Sequence, residues 1–205
     1  MKSASKRSRR RPQQRRARYT VEAVLDAVVR ILKRQGVTAV TTNRIAEVAG
    51  VSIGSVYQYF RDKRAIFTAL HQRHVEAVDE VVKAKLLEHA ASPLDMLLRA
   101  MIEAMVEVHE KDPELYVLLS AEVPHKAEGT REFAVRLHSA FRLAIASRVP
   151  ELRVHRELDT IVFIMAQMVE ALSHGAVLRR PPGMSLAAAK EETVKAVLAY
   201  LHAKL

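Results

Sequence analysis

The chain has 205 residues, is 49% apolar, carries a formal net charge of +10 and contains no cysteine. That length supports one large or two small domains with a sizeable core. The absence of cysteine excludes disulfides and thiolate metal sites, and predicts a reducing, cytoplasmic setting.

The charge is concentrated at the start. Lys2, Lys6, Arg7, Arg9, Arg10, Arg11, Arg15, Arg16 and Arg18 fall within residues 1–18, where no acidic residue offsets them. The rest of the chain is close to neutral. A run of like charges without an apolar core predicts an arm that is disordered on its own and is not a secretory signal. Such an arm can follow phosphates or enter a minor groove; a merely solubilising tail has the same composition.

Residues 19–66 predict a compact three-helix head. Thr20 is the expected cap of the first helix, with Tyr19 and Val24 as a hydrophobic staple. Val21, Val24, Leu25, Val28 and Leu32 form its apolar stripe, and Gly36 ends it. In the second helix Ile45, Val48 and Ala49 make one apolar face, with Thr41 and Thr42 available as caps. Gly50 suits a left-handed turn, Val51 fills the corner, and Ser52 caps a third helix that turns Val56 and Phe60 inward. Its other face is left with Ile53, Gly54, Ser55, Tyr57, Gln58 and Tyr59. Asp62 caps a fourth helix, whose first N–H groups and Lys63 make a phosphate clamp. An ordinary helical hairpin would also pack two helices. The short polar and phenolic groups left outside favour a helix-turn-helix whose second helix enters the major groove.

The motif G-V-S-I-G-S-V-Y-Q-Y-F-R-D-K, with T-T-N-R-I-A before it, resembles the DNA-binding domain of the TetR (tetracycline-repressor-like) transcriptional regulators. The resemblance runs from about Tyr19 to Leu70. It implies DNA contacts from Thr42, Asn43, Ser52, Ile53, Gly54, Ser55, Tyr57, Gln58, Tyr59 and Lys63, to which Thr41 is added for its exposed hydroxyl at the helix start.

Beyond the head, residues 67–205 predict a second all-α domain, giving about nine helices in total. The fourth helix, from Asp62 to about His89, is long enough to join the two domains. Ser92-Pro93-Leu94-Asp95 and Asp112-Pro113-Glu114 are helix starts, with Ser92 as the expected cap of the first. Two further helices follow, one from near Thr130 and one from about Arg156 to Leu178. A last helix from Ser185 keeps Val194, Val197, Leu198, Leu201 and Leu205 in register. The most apolar stretch, 160–178, is interrupted by Gln167, Glu170 and His174 and predicts a buried helix, not a membrane span.

That helix is apolar on two neighbouring faces. Ile161, Ile164, Met165, Met168 and Leu172 fill one side. Val162, Ala166, Val169 and Ser173, with Val197 and Leu201 from the last helix, are expected to face a second subunit. The family resemblance implies the same arrangement, a homodimer joined through its last two helices. Met101, Met105, His109, Tyr116, Phe133, Leu137, Phe141, Met165 and Met168 lie on helices that should converge. They are candidates for a pocket holding a largely apolar effector, although the same stripe also makes plain core.

His71 and His74 lack an evident third ligand, so no metal is expected, and no cofactor motif occurs. Glu170 and His174 suit a helix contact or a polar lining better than acid–base chemistry. No activated nucleophile is apparent, and the chain is not expected to be an enzyme. The resulting expectation is a homodimeric, ligand-responsive repressor on a palindromic double-stranded operator. A sequence-tolerant architectural DNA binder and a ligand sensor acting through a protein partner are the alternatives.

Overall fold

The computed structural model describes residues 4–123, 128–148 and 157–203. The elements are α1 (Ala4–Gln35), a 3₁₀ turn (Val37–Ala39), α2 (Thr42–Ala49), α3 (Ile53–Tyr59), α4 (Lys63–Glu88), α5 (Leu94–Lys111), α6 (Pro113–Glu122), α7 (Glu128–Arg148), α8 (Leu158–Leu178) and α9 (Leu186–His202). Among the described residues there is no strand, and the fold class is all-α. Lys2 and Leu205 lie outside them.

Two compact units divide the chain. The head holds the chain through His71 together with residues 118–123; the C-terminal unit holds Gln72–Val117 and the described residues from 128 onward. The division in α4 therefore falls five residues beyond the expected boundary at residue 66. It also assigns Leu118, Leu119 and Val123, all buried, to the head. No local pattern marks that assignment, because it depends on contacts between segments far apart in sequence.

In the head, Val24, Ala27, Val28 and Ile31 of α1 are buried, as are Ile45 and Ala46 of α2 and Val56 of α3. These faces pack on one another: α1 against α2, α2 against α3 and α1 against α3. The Arg30 guanidinium donates to the Val48 carbonyl at 3.1 Å and ties α1 to the end of α2. One expectation fails here. Residues 4–18 continue α1 as helix, and Thr20 is not a cap: its hydroxyl donates to the Arg16 carbonyl at 3.0 Å. The physical reason is that α1 is nucleated by the packed residues after Val24. Adding residues to an existing helix costs only propagation, which Arg, Gln and Ala favour, although Pro12 in this stretch has no N–H to donate to the preceding turn and opposes it.

The C-terminal unit is built on a core of Leu97, Leu98, Met101 and Ile102 from α5, Phe141 and Ile145 from α7, Ile161, Val162, Met165 and Val169 from α8, and Val194, Val197 and Leu201 from α9. Burying side chains of this size contributes about 1.5–3 kcal/mol each before entropy is counted. The start of α5 departs from expectation. Pro93 occupies the cap position with no side-chain bond, and the Ser92 hydroxyl bonds to His89 Nδ1 at 3.2 Å instead. That turn is held from a distance. Arg148, at the end of α7, donates to the carbonyls of His89, Ala90 and Ser92 at 2.8, 2.8 and 3.0 Å. A guanidinium thus satisfies carbonyls left over where α4 ends.

The proposed partner-facing residues need correction. Val162, Val169, Ser173, Val197 and Leu201 are buried by the chain's own helices, and Ala166 is half-buried. α5, α7 and α9 all pack on α8 and cover the side that the pattern left open. The outward face of α8 instead carries Phe163, 54% exposed, with Gln167 and Ala171 one and two turns on. On α9 the exposed positions include Ala188, Ala196 and Ala199. By length and mean hydropathy (1.7), α8 alone among the described helices could cross a bilayer. Its buried stripe gives that apolarity a place in the core.

Candidate nucleic-acid interface and effector site

Three short bonds build the head's working surface, each reaching three residues along the chain. Thr41 Oγ1 accepts the Arg44 N–H at 3.2 Å and caps α2. Ser52 Oγ accepts the Ser55 N–H at 3.0 Å and caps α3. Asp62 Oδ1 accepts the Ala65 N–H at 2.8 Å at the start of α4. Between the first two, Gly50 turns the chain in the left-handed conformation, φ 69° and ψ 31°, where a side chain would be strained.

These caps fix which way α3 faces. Val56 and Phe60 are buried and lock the helix to the head. Ile53, Gly54, Tyr57, Gln58 and Tyr59 are exposed and Ser55 is half-buried, its hydroxyl 2.8 Å from that of Ser52. Thr41 and Asn43 are exposed beside the start of α2, and Thr42 is half-buried. The surface is polar and phenolic, and it ends in a cation: Lys63 Nζ lies 5.3 Å from the Phe67 ring centroid. Asp62 occupies one N–H of the α4 start, leaving Lys63 and the remaining first-turn N–H groups as the basic end of this surface.

Gly54 is informative by contrast with Gly50. It is helical, and a Cβ built there would meet only Ser52 Oγ, at 3.8 Å. Nothing inside the chain requires glycine at this position. A missing side chain on an exposed face lets another surface approach the backbone closely.

In the C-terminal unit, Met101, Phe141 and Met165 are in the core, while Met105, Phe133, Leu137 and Met168 pack at its margin. The remaining two pocket candidates, His109 and Tyr116, join a cluster of rings. Tyr116 Oη lies 2.8 Å from His174 Nδ1. His174 Nε2 lies 3.1 Å from His109 Nε2, and His109 Nδ1 lies 2.6 Å from the Met105 carbonyl oxygen. The His74 ring stands 5.4 Å from that of His109, edge to face. Burial pushes the His109 pKa down, and the bond to the Met105 carbonyl opposes the shift in part. His174 is therefore bonded across the unit, and Glu170, the neighbour expected to pair with it, is exposed. His174 was expected only as a helix contact or a polar lining, and His74 only on a helix surface, because contacts between rings far apart in sequence leave no mark in helical spacing. Among the described residues no three His, Asp or Glu side chains are placed to hold a metal.

Residues 24–70 match the family described as "Bacterial regulatory proteins, tetR family", and residues 93–201 match the "Tetracyclin repressor-like, C-terminal domain". The HTH-type transcriptional regulator AcrR of Shigella flexneri is 26% identical over 131 residues, 64% of this chain and 60% of that protein. The nucleoid occlusion factor SlmA of Haemophilus ducreyi is 29% identical over 100 residues, 48% of either chain. The chain thus spans between about half and three-fifths of these two curated relatives. A TetR-family regulator from Streptomyces coelicolor superposes with a TM-score of 0.66 at 24% identity, covering 91% of this chain and 99% of that one. That likeness establishes the fold. The two family matches, over a helix-turn-helix with a capped, outward-facing second helix, show that the chain belongs to the TetR family of transcriptional regulators.

Proposed function

We propose that the chain is a ligand-responsive repressor that binds a palindromic operator as a homodimer in the cytoplasm. The observation that carries this reading is α3: two inward anchors hold a helix whose outer face offers exposed Ile53, Tyr57, Gln58 and Tyr59 and half-buried Ser55. Base edges are read by the groups near the start of such a helix, and phosphates by Thr41, Thr42, Asn43, Tyr57 and Lys63 around it. The arm adds sequence-independent affinity through its nine positive charges.

Two heads must be spaced to suit successive major grooves, about one DNA turn apart. The exposed Phe163 and the small residues Ala188, Ala196 and Ala199 support the outer face of α8 and α9 as the dimer contact. Met101, Met105, Phe133, Leu137, Phe141, Met165 and Met168 support an adaptable, largely apolar effector site, with His109 and Tyr116 at its polar end. An effector that prefers one spacing of the heads shifts the population away from operator binding by its differential affinity.

The likeness to a nucleoid occlusion factor, together with the basic arm, favours one second reading, a sequence-tolerant binder of the nucleoid. Footprinting on genomic DNA separates the two: a discrete palindrome supports the operator reading, and diffuse coverage supports the second. Phe163→Glu, followed by sedimentation, tests the dimer; a variant that stays dimeric places the contact elsewhere.

A further inference from the structure

The ring cluster in the C-terminal unit has one consistent arrangement of hydrogens. A carbonyl oxygen only accepts, so the 2.6 Å contact with Met105 places a proton on His109 Nδ1. In neutral His109, Nε2 is then an acceptor. The facing His174 Nε2, 3.1 Å away, must carry the hydrogen between them. Neutral His174 is thereby left with Nδ1 as an acceptor, and the Tyr116 hydroxyl donates to it at 2.8 Å. Donation runs in one direction, from Tyr116 through both imidazoles to the Met105 carbonyl. The opposite tautomer of His174 would set two bare ring nitrogens against each other.

Now add one proton. Whichever imidazole carries the charge, one hydrogen still lies between the two Nε2 atoms, so the added proton sits at His174 Nδ1. His174 then donates to Tyr116 Oη, and the hydroxyl hydrogen is released to point elsewhere. All three bonds survive, and the end of the chain changes from an acceptor to a donor. A second proton would press N–H against N–H across 3.1 Å, so the pair takes up one only.

We propose that Tyr116, His174 and His109 form a one-proton switch in the C-terminal unit, which turns the Tyr116 hydroxyl from an acceptor into a donor. With the extra proton the hydroxyl suits a carboxylate or carbonyl on a bound molecule; without it, the oxygen suits a hydroxyl or N–H. The use of the switch, though not its chemistry, rests on reading this unit as the effector domain. Other groups bear on it. His74 of α4 faces His109 and Tyr116, Asp112 has a buried carboxylate oxygen and accepts the Tyr116 backbone N–H through its carbonyl, and Glu110 and Lys111 beside His109 are exposed. Burial of His109 disfavours charge on that ring. The switch reverses on acidification or when a ligand anion stabilises the charge.

Both helices that contribute residues to each unit also contribute to the cluster. His74 lies three residues beyond the division in α4, and Tyr116 two residues before the division in α6.

Ring-nitrogen NMR on the full chain tests the proposal without an effector or DNA. At high pH, His109 should be the Nδ1–H tautomer and His174 the Nε2–H tautomer. On acidification the pair should take up one proton in a single step, with the new N–H at His174 Nδ1. In Tyr116→Phe that step should fall by roughly one pH unit, since a bond from a charged donor is lost in exchange for a neutral one. Two independent uptakes, His174 with Nδ1–H at high pH, or an unmoved step in Tyr116→Phe would each overturn the switch. The effector reading would survive any of these results, and the switch would equally survive a failed search for an effector.

Discussion

The two units hold their polar groups in different ways. In the head, Thr41, Ser52 and Asp62 each bond to a backbone N–H three residues on. In the C-terminal unit the decisive bonds span the sequence: Tyr116 to His174 is 58 residues apart, His109 to His174 is 65, Arg148 to His89 is 59, and the bidentate Arg99–Glu191 pair is 92. A DNA-reading surface needs a fixed backbone and replaceable side chains, which local caps supply. Bonds of the second kind tie separate helices together, so that altering one alters their packing.

The sharpest way to break this comparison is to disturb the long-range core. Val169→Glu places a charge among apolar side chains with no partner, which costs about 3–5 kcal/mol. The C-terminal unit should unfold in a urea melt, while Phe163→Glu, six residues earlier but exposed, should leave the melt almost unchanged. If both variants melt alike, the assignment of inner and outer faces is wrong. Arg148→Met comes next. It removes charged donors from three carbonyls at the α4–α5 turn and should cost about 2 kcal/mol, seen as loss of hydrogen-exchange protection around residues 88–94.

Ser52→Ala removes a local cap and should cost about 1 kcal/mol, with the loss confined to the head. Were the C-terminal unit destabilised equally, the contrast between local and long-range bonding would not hold. Gly54→Ala should have the opposite sign. It adds a methyl group to open space and gains up to about 1 kcal/mol of helix propensity, yet should weaken DNA binding because the backbone can no longer be approached as closely. Equal or tighter binding would show that no surface comes near α3 at this point.

The smallest effect expected is on pH dependence. The folded chain resists protonation of His109, whereas the unfolded chain accepts the proton at the ordinary value of 6.5. The unfolded state therefore binds more protons below that value. Stability contributed by the buried neutral ring is complete above pH 6.5 and is lost as the pH falls below it. Urea melts across this range should show a shallower decline for His109→Gln than for the parent chain.

The same contrast explains what the sequence made legible. Thr41, Gly50, Ser52 and Asp62 announce themselves because cap and turn chemistry acts within a few residues. With the burial of Val56 and Phe60 they give the orientation of α3 before any coordinates. The faces of α8 could not be read in this way. Its apolar positions follow helical spacing on two sides, and only the packing of α5, α7 and α9 decides that Val162, Val169 and Ser173 lie inside and Phe163 outside. The basic arm shows a different limit. Its charge argues for disorder in a separate peptide, but it is covalently continuous with a helix that tertiary packing has already nucleated.

The assignment of residues 118–123 to the head has a practical consequence for anyone who cuts or grafts this protein. A fragment ending at His71 would carry the complete recognition surface and still lack Leu118, Leu119 and Val123, leaving the sites they cover open to solvent. Such a fragment should express poorly and be clipped readily by proteases. A chimera that transplants only the first 71 residues onto another member's C-terminal half would inherit whatever side chains that member carries at the end of its own sixth helix. Exchanging the two segments together is the swap with the better chance of keeping both halves intact.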